Sequence, residues 1–309
     1  MALVNSIRLV GHSEPIFLVD AGLAPEQRDF ISSQVTLIPG PEDVPPMLMK
    51  TVGPLKHPAA VAILLDADSI VLRHLDELIV AAREGRLVAF VNNEPNHDRF
   101  FSEWQDALGL GPMRRQPYLA SGHLIVPDSL SRRLLDPWQE GQTKVDIGRT
   151  LFGRGKLSDP FYFPDMDVFN AVAAAHLEPD EVVMLEHRLA PSQPFKGLRL
   201  IDTDRLLCSY PDGVRPFLLH HILGKPWLKA TRTNVYSLLL PRLLLAPDVV
   251  LQLEPEQVPL RLREGWLASA DRHRANVQAF VYAETRRQLG RFGVRTRIAR
   301  FRARRRNRR

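Results

Sequence analysis

The sequence predicts an α/β fold: a largely parallel or mixed sheet flanked by helices. Three observations carry that expectation. Short apolar runs closed by turn residues alternate with stretches of helical spacing, the pattern of strand–helix units. The run AAVAILLDAD is apolar almost throughout, as a strand covered on both faces must be. The 309 residues, 45% apolar and 25% charged, are enough for a sizeable buried core.

Taken in order, PIFLVD (15–20) is a strand closed by Asp20 and the turn-like AGLAP. APEQRDFISSQ follows as a helix, VTLIP as a second strand and AAVAILLDAD as a third. SIVLRHLDELIVAARE has helical spacing, with Leu72, Leu75, Leu78 and Ile79 on one face. RLVAFVN is a strand; YLASGHLIVP and EVVMLEHRL are two more, separated by the helical DMDVFNAVAAAHL. After residue 240 the chain is punctuated by Pro241, Pro247, Pro255 and Pro259. GWLASADRHRANVQAFVYAETRRQL then sets Trp266, Ala270, His273, Val277, Phe280 and Val281 at helical spacing, which reads as a helical extension packed on the body. The expected organisation is a main domain over 1–240, a helical extension over 241–289 and a basic tail over 290–309.

Composition narrows the classes. There is no run of 18 apolar residues, so no membrane-spanning helix is expected. The start, MALVNSIRLVGHSEP, does not read as a signal peptide. The single cysteine, Cys208, excludes an intramolecular disulfide and a cysteine zinc cluster, and a cytoplasmic protein is the expectation. The net charge of +6 is unevenly placed: residues 290–309 hold ten arginines and no acid. The remaining 31 basic residues against 35 acidic ones leave residues 1–289 at −4. An acidic body argues against a nucleic-acid-binding protein. In the tail, Val294, Ile298 and Phe301 share one helical face among arginines, which suits the surface of an anionic membrane, the inner face for a cytoplasmic protein; a solvated charge run and RNA binding are the alternatives.

Four stretches carry chemistry. In LLDADSIVL, Asp66 and Asp68 end an apolar strand, where open α/β sheets bind ligands, and two such carboxylates suit a hard divalent cation; the plain alternative is a strand terminus with Asp68 capping a helix. In HHILGKPW, a histidine can complete a metal site, Gly224 permits close backbone approach, and Lys225 is a point charge suited to phosphate; the alternative is a surface loop anchored by Trp227. FPDMDVFNA brings Asp165 and Asp167 to the start of a helix, where Asp167 can be only a cap. PYLASGHLIVP interrupts a strand with Ser121 and Gly122, where a ligand can approach the backbone.

In this order the segments resemble glycosyltransferase family 8. LLDADSIVL matches that family's strand ending in D-x-D, YLASGHLIVP its N-S-G strand, DMDVFN its D-Q-D-x-x-N and HILGKPW its H-x-x-G-x-x-K-P-W, over about residues 15–228. The resemblance implies a GT-A fold and a nucleotide-sugar donor, usually UDP-linked. It also implies a Mn²⁺ (or Mg²⁺) ion bridging the diphosphate, and transfer of a hexose to a glycan, lipid-linked or other acceptor with retention of configuration. Carried over, Asp66, Asp68 and His221 are the metal ligands. Lys225 and Gly224 contact the phosphates, Asp165 hydrogen-bonds donor-sugar hydroxyls, Asp165 and Asp167 are the catalytic pair, and Ser121 and Gly122 line the sugar pocket. Lys50 stands roughly where the family has a basic donor-binding residue.

The sequence also departs from the pattern. Ala120 replaces the N-S-G asparagine, Met166 the glutamine of D-Q-D, and the last motif is two residues shorter between Gly224 and Lys225. Counting from Gly224 selects His221; counting from the KPW end falls nearer His220. The family's first strand, which holds the nucleotide base, has no counterpart before ALVNSIR, and an upstream start is the expectation. These departures keep a second reading open, a non-catalytic glycosyltransferase-like binding or scaffold protein.

Overall fold

The computed structural model describes residues 1–92, 96–222, 224–228, 232–263 and 265–291. Helix α1 (Ala2–Leu9) leads to strand β1 (Phe17–Asp20), helix α2 (Pro25–Ile31), strand β2 (Thr36–Pro39) and helix α3 (Val52–Lys56). Strands β3 (Val61–Leu65) and β4 (Ser69–Val71), helix α4 (Asp76–Arg83), strand β5 (Leu87–Val91) and helix α5 (Glu103–Leu108) follow. Then come strand β6 (Leu119–Pro127) and helices α6 (Asp128–Thr143) and α7 (Pro164–His176). Strands β7 (Val182–Leu185), β8 (Arg199–Asp202), β9 (Leu207–Ser209) and β10 (Leu218–His220) precede helices α8 (Val235–Leu245) and α9 (Trp266–Arg291).

The centre is a four-stranded sheet in the order β3-β6-β5-β7, mixed as expected: β6 runs antiparallel to both β3 and β5, and β5 parallel to β7. Alternation along its strands feeds two cores. Leu124 of β6 and Ala89 of β5 face Trp104, Trp138 and Phe169 of α5, α6 and α7. Ile125 and Phe90, one residue on, face Leu75, Leu78 and Ile79 beside α4. Covering on both faces is why these strands read as continuous apolar runs. A third cluster joins Ile70 of β4 and Leu219 of β10 to Tyr236, Leu239 and Leu243 of α8. Helix α8 runs through residue 240 without a break, so the body and the start of the extension share one core.

Two sequence expectations are corrected. SIVL was expected to open a helix; Ser69–Val71 is instead a strand, antiparallel to β10, and the helix starts at Asp76. Ile70 and Val71 are wholly buried and β-branched, and their ladder with β10 outweighs the helical spacing of the leucines. The apolar stripe of α9 was expected to pack on the body. The face that packs carries Ala268 and Ala275, with Asn276 Oδ1 accepting from Thr233 N at 2.7 Å. Trp266, Val277, Phe280 and Val281 are exposed at 78%, 48%, 71% and 55%. Among the described residues no helix is long and apolar enough to cross a membrane. Val294, Ile298 and Phe301 of the tail lie outside the described residues.

Candidate metal and donor site

Strand β3 ends where Asp66 N donates to Gly122 O of β6 at 2.8 Å. Ser69 N then donates back to Asp66 O at 2.9 Å, reversing the chain into β4. In register with Ser69 on the neighbouring strand is His220, and His221 N donates to Asp68 O at 3.1 Å. Backbone pairing thus joins the Asp66–Asp68 turn to the HHILGKPW segment, far apart in sequence.

His220 Nε2 lies 3.3 Å from Asp66 Oδ2 and 3.1 Å from Asp68 Oδ1. One ligand atom from each of the three residues can be chosen so that all lie within 4.8 Å of one another. Two carboxylate oxygens and an imidazole nitrogen at that separation fit a single divalent ion of the Mn²⁺ or Mg²⁺ type, with positions left over for other oxygens. Burial alone would raise the Asp66 carboxyl, but the Lys50 charge and the His220 hydrogen bond hold it well below the usual range. Asp68, half-buried, is held low by its hydrogen bonds from His220 and Lys225 against the opposing effect of burial. Burial opposes protonation of His220, yet its hydrogen bonds to Asp66 and Asp68 raise it to about 9.

His220, rather than the expected His221, therefore stands in the cluster. Consecutive residues of an extended segment point to opposite sides. His221 turns into the body, where its Nε2 is 2.9 Å from Gln193 Nε2 and 3.3 Å from Asn234 Nδ2, and its ring sits 4.7 Å from that of Tyr236. Burial and the Lys225 charge lower it to about 4, so it is neutral.

Gly122, expected in the sugar pocket, backs the cluster. A Cβ there would lie 2.6 Å from His220 Cε1 and 2.9 Å from Asp66 Oδ2, so no larger residue fits without moving a ligand. On the other side of Asp66 sits Lys50. Its ammonium reaches Asp66 Oδ1 at 3.0 Å and Asp165 Oδ2 at 2.7 Å. It also donates to the Ser121 carbonyl and hydroxyl at 3.3 Å, while Ser121 Oγ donates to Asp165 Oδ2 at 2.7 Å. Burial pushes the Asp165 carboxyl up and Lys50 opposes it. Lys50, Asp66, Ser121 and Asp165, drawn from four separate parts of the sequence, form one connected network.

Gly224 has φ +64, which glycine adopts without strain. Lys225 beyond it donates to the Asp68 carboxylate, to His221 O, and to Ile222 O at 3.1 Å. Its three ammonium hydrogens are matched by these three acceptors, so the expected phosphate contact requires Lys225 to leave Asp68.

Asp167 does not join the site. It is fully buried, and Arg99 grips it with a fork, Nε to Oδ1 at 2.6 Å and Nη2 to Oδ2 at 2.9 Å. Tyr118 OH donates to Oδ1 at 2.7 Å and Phe163 N to Oδ2 at 2.8 Å. Both oxygens are saturated, so the expected catalytic part gives way to an anchoring one. Arg99 also donates to the carbonyls of Leu157 and Asp159 at 2.6 and 2.7 Å, fastening the loop before α7. Neither Arg99 nor Tyr118 was flagged from the sequence. Arg99 lies 68 positions from Asp167, and only the fold brings them together. Asn170, the last residue of DMDVFN, does have a visible place: its amide accepts from Leu119 N at 2.7 Å and donates to Leu119 O at 2.8 Å, pinning α7 to β6.

No protein-family model matches the chain, and no curated protein matches it. Among solved structures it is similar to the galactosyltransferase LgtC in complex with donor and acceptor sugar analogues, at 14% identity over 73% of this chain and 84% of that one, with a TM-score of 0.43. An active-site mutant of LgtC is similar at 15% identity, 73% and 85% coverage and a TM-score of 0.42. The bifunctional glycosyltransferase WbbM is similar at 12% identity, 73% of this chain and 44% of that one, with a TM-score of 0.44. At such values the chemistry of this chain rests on its own side chains.

Proposed function

We propose that the chain is a retaining glycosyltransferase of GT-A type that moves a hexose from a nucleotide sugar, UDP-linked by the family resemblance, to a hydroxyl acceptor. The observation that carries the reading is the meeting of Asp66, Asp68 and His220 with the Lys50–Ser121–Asp165 network around the shared Asp66. One half offers ligands for a divalent ion, the other a carboxylate and a hydroxyl suited to sugar hydroxyls. A divalent ion held by Asp66, Asp68 and His220 would supply charge neutralisation for a sugar diphosphate.

In the transfer, the bond between the sugar carbon and the diphosphate oxygen breaks and its electron pair leaves with the phosphate. The acceptor oxygen bonds to the same carbon on the same face, and its proton passes to the departing phosphate oxygen. Lys225, drawn off Asp68, stabilises that oxygen's growing charge, while Lys50 stays with Asp66, Asp165 and Ser121 and holds them in place. Asp165, hydrogen-bonded to Ser121, orients the sugar. Among the described residues no side chain at the site stands out as a covalent nucleophile, which favours this front-face route over a double displacement. We place the protein in the cytoplasm, held peripherally at an anionic membrane through its basic tail.

The alternative, a non-catalytic sugar-nucleotide-binding protein, draws on Met166, whose sulfur takes the polar position of the family's glutamine and accepts from Asn92 Nδ2 at 3.3 Å. Measuring release of nucleoside diphosphate from UDP-hexoses with Mn²⁺ decides between them. The proposal expects turnover that Asp68→Asn removes. Mn²⁺ binding without turnover on any nucleotide sugar would favour the alternative, and absence of both would defeat the proposal.

A further inference from the structure

Strand β6 carries one titratable side chain, His123, at a position that would suit an apolar one. Leu124, Ile125 and Val126 beyond it are buried and apolar, and His123 itself is only 2% exposed. Neither of its ring nitrogens has a hydrogen-bond partner among the described residues, and both are shut off from solvent. Buried polar atoms are almost always paired, so two orphans on one ring need a reason. A ring buried this deeply stays neutral, with one N–H and one acceptor nitrogen. The N–H can rest on the face of Phe90, whose ring centroid is 5.1 Å away with the planes at 68°. The acceptor nitrogen gains nothing from an aromatic face.

The other ring neighbour of His123 is His220. Between Ala89 and Phe90 the pairing of β5 with β6 jumps from Leu124 to Ala120, so Ser121, Gly122 and His123 bulge out of that ladder. The His123 ring stands at 88° to that of His220, with centroids 5.6 Å apart. Both carboxylate contacts of His220 fall on Nε2. Its Nδ1 edge faces Gly122, where an added Cβ would lie 2.9 Å from Nδ1, and His123 is the next residue. An imidazole that ligates an ion through Nε2 carries its proton on Nδ1, and such ligands donate that proton to an acceptor behind them. Two imidazoles joined by an N–H···N bond of ordinary length have centroids about 5.2 Å apart, so the two rings need to close by only about 0.4 Å.

We propose that His123 is a positioning residue of the metal centre: its acceptor nitrogen receives the Nδ1–H of His220 when Nε2 holds the divalent ion, which fixes that ligand's tautomer and ring plane. The inference rests on Asp66, Asp68 and His220 holding an ion, as in the proposed function; it does not rest on transfer of a sugar. It accounts for a polar ring at a place where an apolar ring would pack at less cost.

The test is calorimetric titration of Mn²⁺ into the full chain carrying His123→Phe or His123→Gln. Phenylalanine keeps a ring in the space without either nitrogen, and glutamine returns an acceptor. His123→Phe is expected to bind Mn²⁺ about 10- to 100-fold more weakly, with a melting temperature no lower than wild type. His123→Gln is expected to stay within about threefold of wild type. A spectroscopic readout separates positioning from packing. With ¹⁵N-histidine-labelled protein at saturating Mg²⁺, the wild type should show a slowly exchanging imidazole N–H that His123→Phe and His220→Ala lack. Should His123→Phe melt lower, that wild-type resonance and its retention in His123→Gln carry the test. Wild-type affinity in His123→Phe, equal loss in both His123 variants, or absence of the resonance from the wild type would overturn the inference and leave the metal site standing. No Mn²⁺ binding by the wild type would overturn the site and the inference together.

Discussion

Asp66 and Asp68 leave a strand, whereas Asp165 and Asp167 enter a helix, and the same one-residue spacing serves the two pairs differently. In the turn after β3 both carboxylates converge on His220. In the first turn of α7 the helical period sets residues two apart on nearly opposite sides, about 200° around the axis. Asp165 consequently meets Lys50 and Ser121 at the site, and Asp167 points inward to Arg99 and Tyr118. A pair of carboxylates converges on one neighbour or divides between two according to the backbone beneath it.

The largest expected effect lies in the converging pair. Asp68→Asn should lower donor turnover by at least about 100- to 1,000-fold with little change in melting temperature. The diverging pair should split between rate and stability. Asp167→Asn leaves the Arg99 guanidinium without its buried partner and should cost about 3–5 kcal/mol in urea unfolding. Asp165→Asn should instead act mainly on turnover, by about 100-fold, with unfolding near wild type. If the two asparagine variants behaved alike, the contrast between strand end and helix start would fail.

Gly122→Ala probes the floor of the cluster and should weaken Mn²⁺ binding by about 10- to 100-fold as the added carbon displaces His220 or Asp66. A pH series with a chelator present tests the electrostatics. His220 titrates at about 9 in the folded chain, above an ordinary histidine at 6.5. Its stabilising contribution is thus complete below 6.5 and lost as pH rises through about 9. Wild-type stability should decline across that window, and His220→Gln should flatten the decline. The smallest effect is expected at Met166, where Met166→Gln should alter turnover or sugar preference only a few-fold.

Much of the fold was legible because the strands of the central sheet are long enough to show their pattern. AAVAILL, RLVAFVN and YLASGHLIVP lie on three of them, and PIFLVD lies on β1 beside β2. Ser69–Val71 and Leu218–His220 have three residues each, too few to reveal a period, and the first merged with the helical spacing of the leucines beyond it. The stripe on α9 was visible, but its direction was not, since an apolar face has the same spacing whether it meets the core or faces away from it. The structure brings Asp66, Asp68, Asp165, Ser121 and Lys50 together, residues that the motif order and the family resemblance single out in the sequence. Asp167 and His221 were misplaced because side-chain direction follows helix period and strand register, here set by the pairing of β4 with β10. Arg99 and Tyr118 left no local signal, since their function is a tertiary contact.

The most direct test of the central claim, that Asp66, Asp68 and His220 together hold the divalent ion, is calorimetric titration of Mn²⁺ into the wild type, His220→Ala and His221→Ala. His220→Ala is expected to weaken binding by at least about 100-fold and His221→Ala by no more than about threefold. Loss in His221→Ala with binding kept in His220→Ala would contradict the account.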